Sequence, residues 1–112
     1  MIIPDNYPIT IIRGRAFDAE FELIGVNLTG KTVASQLRAK ESQSSELIAH
    51  FTVTVTPAAD SVVKIALTDD QTAVLVQEQG FYDILIVEDD ATYVRGAATI
   101  LGSVTNKAEI PT

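Results

Sequence analysis

The chain has 112 residues, enough for one domain with one core and too few for two. Its net charge is −7 and its eight Lys and Arg are scattered rather than clustered, which excludes the basic surface that nucleic acid requires. Cysteine is absent, so disulfides and thiolate metal centres are excluded, and no apolar run approaches the ~20 residues of a membrane-spanning helix.

The first residues, MIIPDNYP, lack the basic start and long apolar run of a secretory leader, so a soluble, non-exported chain is expected. Pro4 and Pro8 have no amide donor, and residues 1–8 read as an extended arm. Ile9 to Arg13 reads as a short strand broken or bulged at Gly14. From Ala16 to Leu23, Phe17, Ala19, Phe21 and Leu23 alternate with Asp18, Glu20 and Glu22. A loop from Gly25 to Gly30 leads into Thr32 to Ala39, where Val33, Ser35 and Leu37 oppose Gln36 and Arg38. Glu41 to Glu46 is polar and reads as a connection.

The strongest pattern is Ala49 to Leu67. Ala49, Phe51, Val53 and Val55 alternate with His50, Thr52, Thr54 and Thr56, and the alternation resumes with Val63, Ile65 and Leu67 after Pro57 and Asp60. A period of two rich in β-branched residues predicts two half-buried strands in a hairpin. Thr68 with Gln71 three residues on predicts a capped short helix carrying Asp69 and Asp70 in its first turn, fading by Gln79 and stopped by Gly80. Phe81 to Val87 is apolar on both faces and predicts a central strand covered on both sides. Glu88 to Thr92 turns the chain into Tyr93 to Leu101, and residues 105–112 form a polar tail. About seven strands with one helix and turns every ~8–12 residues predict an all-β antiparallel sandwich over residues 9–104. Its expected core is Phe17, Phe21, Val33, Leu37, Phe51, Val53, Ile65, Leu67, Ile84 and Ile86.

Residues Gly25 to Thr32, GVNLTGKT, fit a phosphate-binding loop, in which backbone amides cradle phosphates and the lysine reaches the outer ones. Such a loop opens a helix, whereas Thr32 to Ala39 alternates as a strand, so a turn is the better reading. A nucleotide-binding protein using Lys31 stands as the alternative from a different class. The stripe Asp18, Glu20 and Glu22 could hold a cation or a basic partner, but such stripes more often form a solvated face that discourages edge pairing. Glu88, Asp89 and Asp90 lack the ligand spacing of a calcium loop. His50 is a lone histidine, and Asn27-Leu28-Thr29 is a glycosylation triplet without a secretory context. The aromatic residues suit packing better than base stacking, since no basic groove accompanies them. Neither a catalytic set nor a cofactor or metal site is legible, and an enzyme is not expected.

Several motifs occur in a telling order. They are Arg13-Gly14 before Phe17, Leu28-Thr29-Gly30 before Thr32, Leu37-Arg38, the Phe51 to Val55 strand, Leu67 to Ala73, and Gly80-Phe81-Tyr82-Asp83. Over roughly residues 12 to 104 the chain resembles the small immunoglobulin-like sandwich proteins of tailed bacteriophages, including the N-terminal domain of the baseplate upper protein. Many relatives there carry a long helical or fibre extension, and here only a short tail follows the sandwich. The resemblance implies an immunoglobulin-like fold and a structural virion protein: a tail or baseplate component, or a tail-to-fibre adaptor, present in several copies. A capsid decoration protein is the alternative within that class. Its expected partners are other virion proteins, with neither nucleic acid nor membrane. The candidate partner-binding residues are Ile2, Ile3, Tyr7, Asp18, Glu20, Glu22 and Ile110. The apolar ones among these lie on arms expected to order only on assembly, so deleting residues 1–8 is expected to leave the melting temperature nearly unchanged.

Overall fold

The computed structural model describes residues 5–102; Ile2, Ile3, Ile110 and the tail lie outside the described residues. The period-two segments build two packed sheets. The larger contains β1 (Asp5–Asn6), β2 (Ile9–Ile12), β4 (Val33–Arg38), β5 (Leu47–His50), β8 (Gln79–Ile86) and β9 (Ala91–Leu101). Its order is β1-β9-β8-β4-β5, with β2 also against β9. The smaller sheet is β3 (Phe17–Leu23), β7 (Ser61–Leu67) and β6 (Thr52–Thr56), in the order β3-β7-β6. Helix α1 (Asp69–Ala73) crosses from one sheet to the other between β7 and β8. The chain is an all-β, immunoglobulin-like sandwich: β3-β7-β6 take the places of the B, E and D strands, and β9-β8-β4-β5 those of G, F, C and C′. The pairings are antiparallel except those of β1 and β2, which run parallel to β9.

The inward residues of both sheets form one core. Phe21, Leu23, Val63, Ile65 and Leu67 face Ile11, Leu37, Tyr82, Ile84 and Ile86. Of the expected core, Phe17, Val33 and Val53 are only partly buried at its margins, and the other seven are buried. Antibody domains bridge the B and F strands with a disulfide. Here the corresponding strands meet through rings: Phe21 of β3 lies 6.4 Å from Tyr82 of β8, and Phe51 lies 6.2 Å from Tyr82 and 6.0 Å from Phe17. An aromatic cluster with these spacings contributes both area and edge-to-face attraction, and it needs no oxidising compartment.

Three expectations are corrected. The segment 49–56 is not one strand: Ala49 pairs with Leu37 in the larger sheet and Val53 with Ile65 in the smaller, the chain changing sheets at Phe51. Inward and outward residues keep their phase through the crossing, so alternation alone cannot reveal it. The helix ends at Ala73 rather than near Gln79, and Gly80 lies inside β8. Strand β8 is central but covered on one face only, since Phe81, Asp83 and Leu85 remain partly exposed on the other.

The N-terminal arm is a fourth case. Residues 5–8, the described part of it, belong to the domain. Asp5 and Asn6 pair with Val94 and Arg95, Tyr7 N donates to Arg95 O at 2.8 Å, and the Tyr82 hydroxyl donates to Tyr7 O at 2.6 Å. Gly96 makes this approach possible, because a Cβ there would lie 2.3 Å from Tyr7 O. The expectation that deleting residues 1–8 leaves stability untouched therefore does not follow for residues 5–8.

Candidate functional site

The outward residues of the larger sheet form a broad open depression. β4 contributes Ala34, Gln36 and Arg38; β8 contributes Phe81, Asp83 and Leu85; β9 contributes Thr92, Arg95 and Ala97. Asp83 sits in the middle, in register with Gln36 on one side and Arg95 on the other. Burial pushes its carboxyl above the ordinary value, and the positive charges of Arg95 and Arg38 pull it part of the way back. Both arginines are held. Arg38 donates to Gln36 Oε1 from Nε at 3.2 Å and Nη2 at 2.9 Å, and to Ser45 O from Nη1 at 2.7 Å. Arg95 pairs with Glu41 of the β4–β5 connection. Fixed charges of both signs among half-covered apolar groups make a surface that can match a complementary protein.

The phosphate-loop lookalike folds as a turn. Gly30 has φ +73°, the left-handed geometry that glycine tolerates, and Thr32 is followed by β4 rather than a helix. The groups that would meet phosphate are engaged by the β8–β9 turn. Lys31 Nζ lies 2.7 Å from Asp89 Oδ1, Thr32 N donates to Glu88 Oε1 at 2.7 Å, and the Thr32 hydroxyl donates to Glu88 Oε2 at 2.9 Å. Those bonds from Thr32 hold the Glu88 carboxyl below its ordinary value, with the Lys31 charge adding to them. The hydrogen bond that Lys31 donates to the Asp89 carboxylate raises the lysine above its ordinary value. The other end of the loop is tied down by Ser61, whose buried hydroxyl accepts from Leu28 N at 2.9 Å, and by Asp60, which accepts from Gly25 N at 2.6 Å.

The sequence-predicted residues are not brought together. Asp18, Glu20 and Glu22 stand exposed on the outer face of β3, in the smaller sheet, with Asp18 3.9 Å from Lys64. Tyr7 is half exposed across the sandwich opening, its ring 5.1 Å from that of Phe21. His50 is exposed at the end of β5, opposite Gln36. Asn27 of the glycosylation triplet accepts from Thr29 N at 3.0 Å in a local turn. Among the described residues, no three potential ligands converge on one point. Sequence reading missed Asp83 and Arg95 as a pair, although Asp83 interrupts the apolar run FYDILIV on its outward phase.

No family model and no curated relative matches the chain. Among solved structures it is similar to the NK cell receptor Nkp44, described as a triggering partner in natural cytotoxicity. That match has 10% identity and a TM-score of 0.49, over 88% of this chain and 99% of that one. The strand order and register above carry the fold assignment by themselves. Among the described residues no helix is long and apolar enough to cross a membrane.

Proposed function

We propose that the chain is a structural protein of a tailed bacteriophage particle, a tail or baseplate component or a tail-to-fibre adaptor, acting through protein contacts. The observation that carries the reading is the outer face of β4, β8 and β9: a wide, shallow surface with Asp83 flanked by two anchored arginines and bordered by Phe81, Leu85 and Ala97. A surface of that shape and charge is suited to docking a neighbouring protein rather than enclosing a small substrate. The motifs behind the phage resemblance also have structural work here. Arg13 donates to Leu75 O at 2.7 Å and Gln77 O at 2.6 Å, fixing the segment after α1. Leu28 is buried, and Thr68 and Gln71 cap the helix reciprocally.

The test is incorporation. Leu85→Glu places a charge on the outward face without touching the inward one, so the melting temperature stays within a few degrees. Particles grown with that variant in place of the native chain should lack it. Normal incorporation, with the fold intact, would remove this face from the account.

A further inference from the structure

The smaller sheet has two edges of opposite character. One is β3, whose outward side chains are Asp18, Glu20 and Glu22. The other is β6, TVTVT, which among the described residues pairs only with β7. No Asp, Glu, Lys or Arg occurs between Glu46 and Asp60. An unpaired strand edge exposes a row of amides and carbonyls, and natural edges are commonly guarded by charge, proline or a bulge. β3 is guarded in this way. β6 is regular over all five residues, and Pro57 stands only beyond its end. Its inward residues Val53 and Val55 pack on the core yet stay partly exposed, because no neighbouring strand covers them on that side.

We propose that β6 is the contact surface for a second copy of this chain, pairing antiparallel with its counterpart about a two-fold axis at Thr54. The two smaller sheets then run on as one. Both copies keep their inward faces on the same side only if residues of like parity meet. Thr54 therefore faces Thr54, Thr52 faces Thr56, and Val53 faces Val55. Each half-exposed valine gains a valine neighbour, and the outer face gains threonine pairs, both favourable across strands. The same operation at β3 would set Glu20 against Glu20 and Asp18 against Glu22, which like-charge repulsion opposes. The charge pattern thus opposes self-pairing at the β3 edge and permits it at the β6 edge. This goes beyond the proposed function and does not depend on it.

The chain has no cysteine, so a single introduced thiol reports without ambiguity. Opposed residues of an antiparallel pair have Cα atoms about 4.5–5.5 Å apart, within disulfide range. Under mild oxidation the full-length Thr54→Cys variant should crosslink about tenfold faster than the Glu20→Cys control, since pairing raises the effective thiol concentration. Sedimentation should show a concentration-dependent dimer for the native chain that Thr54→Lys abolishes, and that an equimolar mixture of Thr54→Lys and Thr54→Glu restores. The melting temperatures of the monomeric variants serve as the fold control. Equal crosslinking rates at the two positions, a native chain monomeric at millimolar concentration, or a dimer that survives Thr54→Lys would each overturn the proposal. So would crosslinking that appears only after residues 103–112 are removed, because it would make the chain's own tail the occupant of the edge.

Discussion

At the scale of single residues, two side chains carry more than their size. Phe51 marks the point where the chain leaves one sheet for the other. Its ring is buried against Phe17 and Tyr82, and its amide donates to Ser35 O at 3.0 Å. Truncation there removes a contact between the sheets as well as apolar area, so Phe51→Ala should cost ~3–5 kcal/mol by denaturant titration. An unchanged midpoint would contradict its place in the core. Tyr82 uses its ring in the core and its hydroxyl on Tyr7. Burial first, and the neighbouring Tyr7 second, push that hydroxyl well above its ordinary value, so it remains a neutral donor across the physiological range. Tyr82→Phe keeps the ring and loses the bond, at about 1 kcal/mol, and amide exchange in residues 5–7 should accelerate selectively. Uniform exchange across the chain would show that the bond does not hold the segment.

At the scale of elements, alternation made most strands legible, and the limits of alternation account for the misses. Phe17 to Leu23 and Val33 to Arg38 fall where the pattern places them, and Thr68 with Gln71 forms both bonds of the capping box. The crossing at Phe51 was hidden because period and phase continue through it. Strand β1 was hidden because Pro4 and Pro8 argue against strand, whereas Asp5 and Asn6 between them pair with β9 at the sheet edge. The outward charge cluster was hidden because Arg38, Asp83 and Arg95 come from three strands whose register no single segment encodes. The β8–β9 turn offers a pH test. Glu88 is held below its ordinary value of 4.5 by Thr32, so the stability it contributes is present above that value and lost as pH falls through the lower, folded value. Glu88→Gln should lower Tm at pH 7 and make little difference under strongly acidic conditions, where the native carboxyl is protonated too. An equal deficit at both extremes would show that the carboxylate charge is not what matters.

At the scale of the molecule, the sandwich presents distinct surfaces in different directions. Mixed fixed charges and apolar groups face outward from β4, β8 and β9, carboxylates guard β3, and the edge at β6 is uncharged. A domain built in this way is suited to holding neighbours at fixed angles, the task of a component in a symmetric particle. The most direct measurement of the proposed virion role is gold labelling, with an antibody to this chain, of tailed phage particles produced by cells that carry its gene, viewed by electron microscopy. Gold is expected at the tail end distal to the head, or where fibres join the tail. Gold spread over the capsid would instead make it a decoration protein, and particles that never carry label would contradict the virion role altogether.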